Sequence, residues 1–100
     1  MYFKDYLIIN EEKNTISFKS FKNETTEIII KLNNSKDIKE ITLKKDLIQF
    51  FLCYKDYSNP LAAEFRIEIY LNNYHLIYEV TGENKEDIKE FCTYLKSILI

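Results

Sequence analysis

Residues 64–100 read EFRIEIYLNNYHLIYEVTGENKEDIKEFCTYLKSILI, and the spacing of their apolar residues changes near Asn84. Before that point apolar and polar residues alternate, as in residues 64–71, which predicts a half-buried strand. The Asn-Asn pair at 72–73 fits a two-residue hairpin turn of the primed type, and residues 74–81 form the returning strand. After Asn84 the apolar residues recur every three or four positions, which predicts an amphipathic helix.

The predicted helix has its own start signal. Asn84 is a natural N-cap, and Glu86 and Asp87 follow in the first turn, where the helix dipole favours negative charge. One stripe of the helix is apolar and should dock on the strands. Its expected members are Ile88, Phe91, Cys92, Leu95 and Leu99.

Earlier apolar runs alternate less regularly. We expect further strands at residues 2–9, 15–19, 26–32, 41–43 and 47–54, with polar, often asparagine-containing turns between them. The last of these runs, LIQFFLCY, is apolar on both faces except at Gln49. We therefore expect this strand to lie in the interior of a sheet or under a covering element. Residues 55–61, which include the only proline, are expected to form a longer loop.

Length and composition indicate one domain spanning residues 1–100. The chain is 46% apolar and 15% aromatic, which is enough for a folded core. Combined with the order of elements, this predicts an α+β fold. We expect an antiparallel β-meander or sandwich of about seven strands, closed by one C-terminal amphipathic helix.

Charge and hydropathy exclude several classes of partner. The 14 basic and 16 acidic residues give a net charge of −2, and no dense cluster of Lys or Arg is present. Nucleic-acid binding relies on such clusters, so no nucleic-acid partner is expected. Residues 1–9 are too short and too charged for a signal peptide, and no run approaches the ~20 apolar residues that span a bilayer. We therefore expect a cytoplasmic protein without a membrane partner.

The order of elements resembles the pleckstrin-homology-like (PH-like) fold over residues 2–98. That resemblance implies two nearly orthogonal sheets, with the last helix plugging one open corner. Phe91 would take the place of the tryptophan usual on the closing helix of this family. Phosphoinositide-binding members carry several Lys or Arg on the first two strands and their loop. This chain offers only Lys4, Lys13 and Lys19 there, diluted by acidic residues, so the resemblance implies the fold and not the lipid site.

Residues that carry enzyme chemistry are few. His75 is the only histidine, and Cys53 and Cys92 lie at apolar positions, where burial raises a thiol's pKa. A structural zinc site takes four N or S ligands, and the chain has only these three candidates. Gly82 is the only glycine, which excludes a glycine-rich phosphate loop. We expect no catalytic residues, no metal, no cofactor and no enzymatic activity. Both thiols should be reduced, with a single core disulfide as the alternative.

The number of tyrosines is the remaining indication of function in the sequence. Eight tyrosines in 100 residues indicate a contact surface, because tyrosine buries area at interfaces while keeping a polar tip. The alternative is that most of them fill the core and its rim. The candidate partner-binding residues lie between the proline loop and the last hairpin, and they are Tyr57, Arg66, Glu68, Tyr70 and Tyr74.

These observations predict a non-enzymatic, cytoplasmic protein-binding module. An inhibitor, an immunity protein or an adaptor, with a phage or mobile element as one source, fits this description. The alternative is a PH-like domain that binds membranes or lipid headgroups. A homodimer is also open, since Ile98 or Ile100 in the apolar tail could be exposed at a self-interface, with terminal fraying as the other interpretation. An open sandwich also leaves a strand edge that can accept an added strand, although alternation does not identify which strand.

Overall fold

A computed structural model describes residues 3–33 and 38–99, which fold into eight strands and one long helix. Two short 3₁₀ helices, Phe3–Asp5 and Lys45–Leu47, precede the first and sixth strands. The strands are β1 (Leu7–Asn10), β2 (Thr15–Lys19), β3 (Phe21–Lys22), β4 (Thr26–Leu32), β5 (Glu40–Lys44), β6 (Ile48–Asp56), β7 (Ala63–Leu71) and β8 (His75–Gly82). The helix α1 spans Lys85–Leu99.

The strands form two antiparallel sheets. The smaller sheet has the order β1-β2-β5, and the larger has the order β3-β4-β8-β7-β6. The predicted α+β architecture, antiparallel sheets closed by one C-terminal helix, is therefore confirmed, with eight strands rather than about seven. Within the sheets β2 pairs with β5 and β4 pairs with β8, so the order departs from a plain meander. Alternation along one strand does not identify its neighbour, and this order was not predicted.

The hydrophobic core lies on one face of the five-stranded sheet, here called the inner face. The smaller sheet and α1 both pack on it. Tyr78 in β8 lies at their junction, with its ring centroid 5.1 Å from Phe18 of β2 and 6.1 Å from Phe91 of α1. Its hydroxyl donates a hydrogen bond to the carbonyl of Tyr6 (3.2 Å), so the buried polar tip has a partner. Because every covering element among residues 3–33 and 38–99 lies on the inner face, none of these elements covers the opposite face.

Helix α1 begins as predicted, but its buried stripe ends at Ile98 rather than at Leu99. The Asn84 side chain accepts a hydrogen bond from the backbone N–H of Asp87 (3.1 Å), which confirms the N-cap. The buried stripe comprises Ile88, Phe91, Cys92, Leu95 and Ile98. Leu99 is half-buried but packs against the core as expected, whereas Ile98 is 5% exposed and therefore is not the exposed residue of the tail. The last step along the stripe is three residues rather than four. Ile100 lies outside the described residues.

The N-terminal segment is shorter as a strand than residues 2–9. Its first part is the 3₁₀ helix, closed by a hydrogen bond from the N–H of Tyr6 to the carbonyl of Phe3 (3.0 Å). The ring of Phe3 packs against Phe91 and Tyr94 of α1, at centroid distances of 5.4 and 5.2 Å. Phe3 therefore covers the helix, and the strand begins only at Leu7.

Asparagine shapes two of the turns through left-handed backbone. Asn14, after β1, has φ 54°, and Asn33, after β4, has φ 49°. These are the only non-glycine residues of the described chain with positive φ. The β7–β8 hairpin at 72–73 is confirmed, but its primed geometry is not, because neither residue has positive φ. Instead the Asn72 side chain accepts a hydrogen bond from Gln49 of β6 (2.7 Å), which fixes the turn from the neighbouring strand.

Candidate functional site

The outer face of the five-stranded sheet is the side turned away from the smaller sheet and α1. Strand register places its side chains in four rows that cross the sheet from β6 through β7 and β8 to β4. The rows are Phe50–Tyr70–His75, Leu52–Glu68–Ile77–Lys31, Tyr54–Arg66–Glu79–Ile29 and Asp56–Glu64–Thr81–Glu27.

Strand β6 forms one edge of this sheet, so the first of the two expected positions for residues 47–54, the interior of a sheet, is wrong, and the second, under a covering element, holds for one side only. Its outward side chains are uncovered. Phe50 is 52% exposed, Leu52 41% and Tyr54 45%. Leu47, just before the strand, is 53% exposed. Six large apolar side chains are exposed in the described part of the chain, and these four are among them.

Only the inner side of β6 is covered by the chain itself. Phe51 and Cys53 are half-buried against the core, and the Cys53 sulfur lies 3.9 Å from that of Cys92 in α1. Both cysteines are free thiols. Burial, followed by the neighbouring Cys92, raises the pKa of Cys53. The apolar inner side is thus explained by core packing, whereas the apolar outer side stays exposed to solvent.

The first row is a stack of three rings. Phe50 and Tyr70 lie 4.5 Å apart between centroids at 12°, and Tyr70 and His75 lie 4.3 Å apart, also at 12°. Tyr70 is consequently half-buried, whereas its position on the charged face of β7 predicts an exposed side chain. The Nε2 atom of His75 lies 3.3 Å from a Glu68 carboxylate oxygen. The stack holds these rings in fixed orientation on the sheet and leaves Phe50 as its exposed end.

The third row contains the only arginine of the chain. The Arg66 guanidinium lies 4.5 Å from the centre of the Tyr54 ring, a cation–π contact. Its Nε atom is buried and has no hydrogen-bond partner. A hydrogen bond to Glu68 is the main cause that raises the pKa of Tyr54. Arg66 is therefore held flat against the face with hydrogen-bonding capacity unused. A shallow cleft of about 220 Å³ lies beside it, lined in part by Glu64 and Glu79.

The fourth row makes one end of the face acidic. Asp56 and Glu64 are directly opposite each other, and Glu27 lies in the same row. The Ser58 hydroxyl (2.6 Å) and N–H (3.0 Å) donate to Asp56, and these two hydrogen bonds lower its pKa. Across all four rows five carboxylates, those of Glu27, Asp56, Glu64, Glu68 and Glu79, outnumber the two cations, Lys31 and Arg66. Lys31 is itself in an ion pair with Glu79 (3.3 Å).

The structure brings together three of the five predicted partner-binding residues. Arg66, Glu68 and Tyr70 lie on the outer face of β7. Tyr57 and Tyr74 lie elsewhere and pack half-buried against the core. The carbonyl of Tyr57 accepts a hydrogen bond from the side chain of Lys85 in α1 (2.8 Å).

Sequence reasoning missed Phe50, Leu52 and Tyr54. Their signal in the sequence is the apolar run of residues 47–54, which predicts a strand inside a sheet or under a covering element. An apolar outer side on an edge strand is instead the pattern of a contact surface.

Other chemistry is sparse in the described residues. No group of three or more His, Cys, Asp or Glu side chains in residues 3–33 and 38–99 is placed to hold a metal ion. No helix within the same ranges is long and apolar enough to cross a membrane. The aromatic and charged outer face is therefore the candidate site.

Comparisons of the chain with protein-family models, with curated proteins and with solved structures gave no match. The PH-like resemblance accordingly stays a prediction.

Proposed function

We propose that the chain is a non-enzymatic, cytoplasmic protein-binding module of the inhibitor, immunity-protein or adaptor kind, and that it binds its partner on the outer face. The observation that carries the proposal is the exposed aromatic row on the same sheet face as Arg66. Tyr and Arg dominate binding energy at protein interfaces, and here Tyr70 and Arg66 lie on one face of β7, with Glu68 between them, and are held by ring contacts. Such preorganisation lowers the entropy lost on binding.

The charge of the face indicates the kind of partner. Its carboxylates exceed its cations, and the excess lies mainly in the row of Asp56 and Glu64. Phe50 and Leu52 supply exposed apolar area in the first two rows, on the other side of the Tyr54–Arg66 row. A complementary protein surface has an apolar centre and a basic rim on the side that meets the acidic row.

Affinity capture with matched variants tests the proposal. The tagged chain, an Arg66→Glu/Tyr70→Ala variant and an Ile8→Lys variant would be used as baits in lysate of the native host. Ile8 is the control because it is 39% exposed but lies on the smaller sheet, away from the outer face. Captured proteins would be quantified by mass spectrometry.

We expect one stoichiometric partner that the wild type and the Ile8→Lys variant capture equally. The double variant should capture at most about one tenth as much of this partner as the wild type does, since it removes both anchor residues. A partner captured equally by all three baits would contradict the assignment of the outer face. Absence of any protein partner, with binding to anionic vesicles, would favour the lipid-binding alternative instead.

A further inference from the structure

Strand edges differ sharply in how they are protected. Native edge strands are blunted by short length, charged residues or proline, because an open edge pairs with other chains. Strand β3 has two residues and β1 has four, while β5 begins with Glu40 and ends with Lys44. Past β3, the free side of β4 spans only residues 29–32 and includes Lys31.

Strand β6 lacks most of these protecting features. It is nine residues long and has no proline, and its only charged residues are the last two, Lys55 and Asp56. A bulge between Ile48 and Phe50 interrupts its pairing with β7 at one end. From Phe50 to Asp56 the ladder is regular, so the opposite edge of this segment is a regular, unprotected template for an added strand.

We propose that β6 pairs antiparallel with β6 of a second copy of this chain, about a two-fold axis at Leu52. The two five-stranded sheets then form one continuous ten-stranded sheet. This inference does not rest on the proposed function, because it concerns the backbone edge of β6 rather than the side chains of β7 and β8.

The sequence of β6 is self-complementary in this register. Leu52 faces Leu52 of the second copy, and Phe50 faces Tyr54 twice, so all outer-face pairs are apolar or aromatic. On the inner side Phe51 faces Cys53. Beyond these pairs Lys55 meets the neutral Gln49 and Asp56 meets Ile48, both at the bulge, and no like charges are opposed.

The neighbouring registers are poorer. An axis at Cys53 places Asp56 opposite Phe50, which sets a carboxylate against an aromatic ring. An axis at Phe51 moves the bulge closer to the centre of the ladder, because Gln49 then faces Cys53 rather than Lys55. Moving the axis by one residue shifts the register by two, so all three axes keep the outer faces of both copies on the same side of the sheet. Only the axis at Leu52 pairs residues 50–54 entirely with one another, so that its central pairs are all apolar or aromatic and lie within the regular segment.

The oligomeric state of the purified full-length chain tests the proposal. Sedimentation velocity and light scattering across micromolar to millimolar loading should show twice the chain mass, with Leu52→Lys shifting the dimer dissociation constant upward by about tenfold or more. That substitution puts two ammonium groups face to face at the axis. The Ile8→Lys variant should dimerise like the wild type. A monomer at all concentrations, or a dimer insensitive to Leu52→Lys, would overturn the proposal.

A charge-swap pair keeps the test decisive if Leu52→Lys fails to fold. Phe50→Lys and Tyr54→Glu should each weaken dimerisation. Mixing the two variants should restore a mixed dimer, because the introduced ammonium of one copy then faces the introduced carboxylate of the other. Within each monomer the new ammonium lies opposite Tyr70 and the new carboxylate opposite Arg66, and both are tolerable neighbours.

Failure of this pair is informative in its own right. No mixed dimer from two folded variants would overturn the register. Because a monomer can still capture a partner on Tyr70 and Arg66, failure here is distinguishable from failure of the proposed function.

Discussion

Substitution of Phe91 by alanine should remove most of the contact that holds α1 on the sheets. Phe91 is 1% exposed, and its ring lies within reach of three other rings. The centroid distances are 5.4 Å to Phe3, 5.6 Å to Phe65 and 6.1 Å to Tyr78. These partners come from the N-terminal segment, β7 and β8, so one side chain joins three parts of the fold.

The expected loss follows from burial and ring contacts. Truncation of a buried Phe to Ala costs about 3–5 kcal/mol, and the three aromatic contacts place Phe91 in the upper half of that range. A domain of this size has a free energy of unfolding of about 5–15 kcal/mol, so the variant should lose between about a quarter and nearly all of it. With a urea m value of about 2 kcal/mol/M, the midpoint should fall by about 2 M.

Urea unfolding followed by far-UV circular dichroism measures this shift. Phe91→Leu, which keeps most of the volume but no ring, should lose less than half as much free energy. Ile8→Ala is the matched control, since Ile8 is 39% exposed on the smaller sheet, away from the β6 edge, and its truncation should cost about 1 kcal/mol or less. A midpoint shift below about 0.5 M for Phe91→Ala would refute the reasoning, because it would mean that the helix docks without this residue.

Three further predictions concern titration and packing. Burial raises the pKa of Tyr57 from 10.0 to about 12, and burial also raises that of Tyr78. The folded state therefore holds these protons longer than the unfolded chain does, so the contribution of these tyrosines to the free energy of unfolding should be constant below pH 10 and fall as pH rises toward 12. Absorbance at 295 nm would show this as late-titrating tyrosines, and simultaneous titration of all eight near their ordinary pKa would contradict it. Gly82→Ala places a Cβ 2.8 Å from Cδ1 of Ile88 and should cost about 1–3 kcal/mol in thermal unfolding, partly relieved by Ile88→Val, which removes that methyl group. Additive costs for the two substitutions would show that the contact does not matter. Because the pKa of Cys53 is raised, iodoacetamide should alkylate it more slowly in the native protein at pH 8 than in the urea-unfolded chain, and equal rates would contradict this.

Local patterns predicted the local structure well. Alternation gave the bounds of β2 (Thr15–Lys19) and β4 (Thr26–Leu32) as they are observed, and the Asn84 cap placed the start of α1. These features depend on residues near one another in the chain. The partners of β2 and β4, namely β5 and β8, depend on chain path rather than on local period, so they were not predictable from these patterns.

The candidate site was predictable in part. Alternation placed Arg66, Glu68 and Tyr70 on one face of β7, where the structure has them. Tyr74 precedes Leu76 by two residues, and it lies on the same core-facing side. That position was already implied by the period of two.

The error at β6 has a different cause. A strand that is apolar on both sides needs cover on both sides, but the sequence does not state where the cover comes from. For Phe51 and Cys53 it comes from the core of the same chain. For Phe50, Leu52 and Tyr54 no described element supplies it. We interpret that missing cover as the contribution of a partner.

Site-specific photo-cross-linking in the native host tests the central claim most directly. Benzoylphenylalanine would replace Ile77, which lies on the outer face two strands inward from the β6 edge, and Ile8 as the control on the smaller sheet. A cross-link at 77 reports a partner on the face rather than an edge-paired second copy. The account predicts one cross-linked protein, different from this chain, at position 77 and none at position 8. No cross-link at 77, or the same products from both positions, would contradict it.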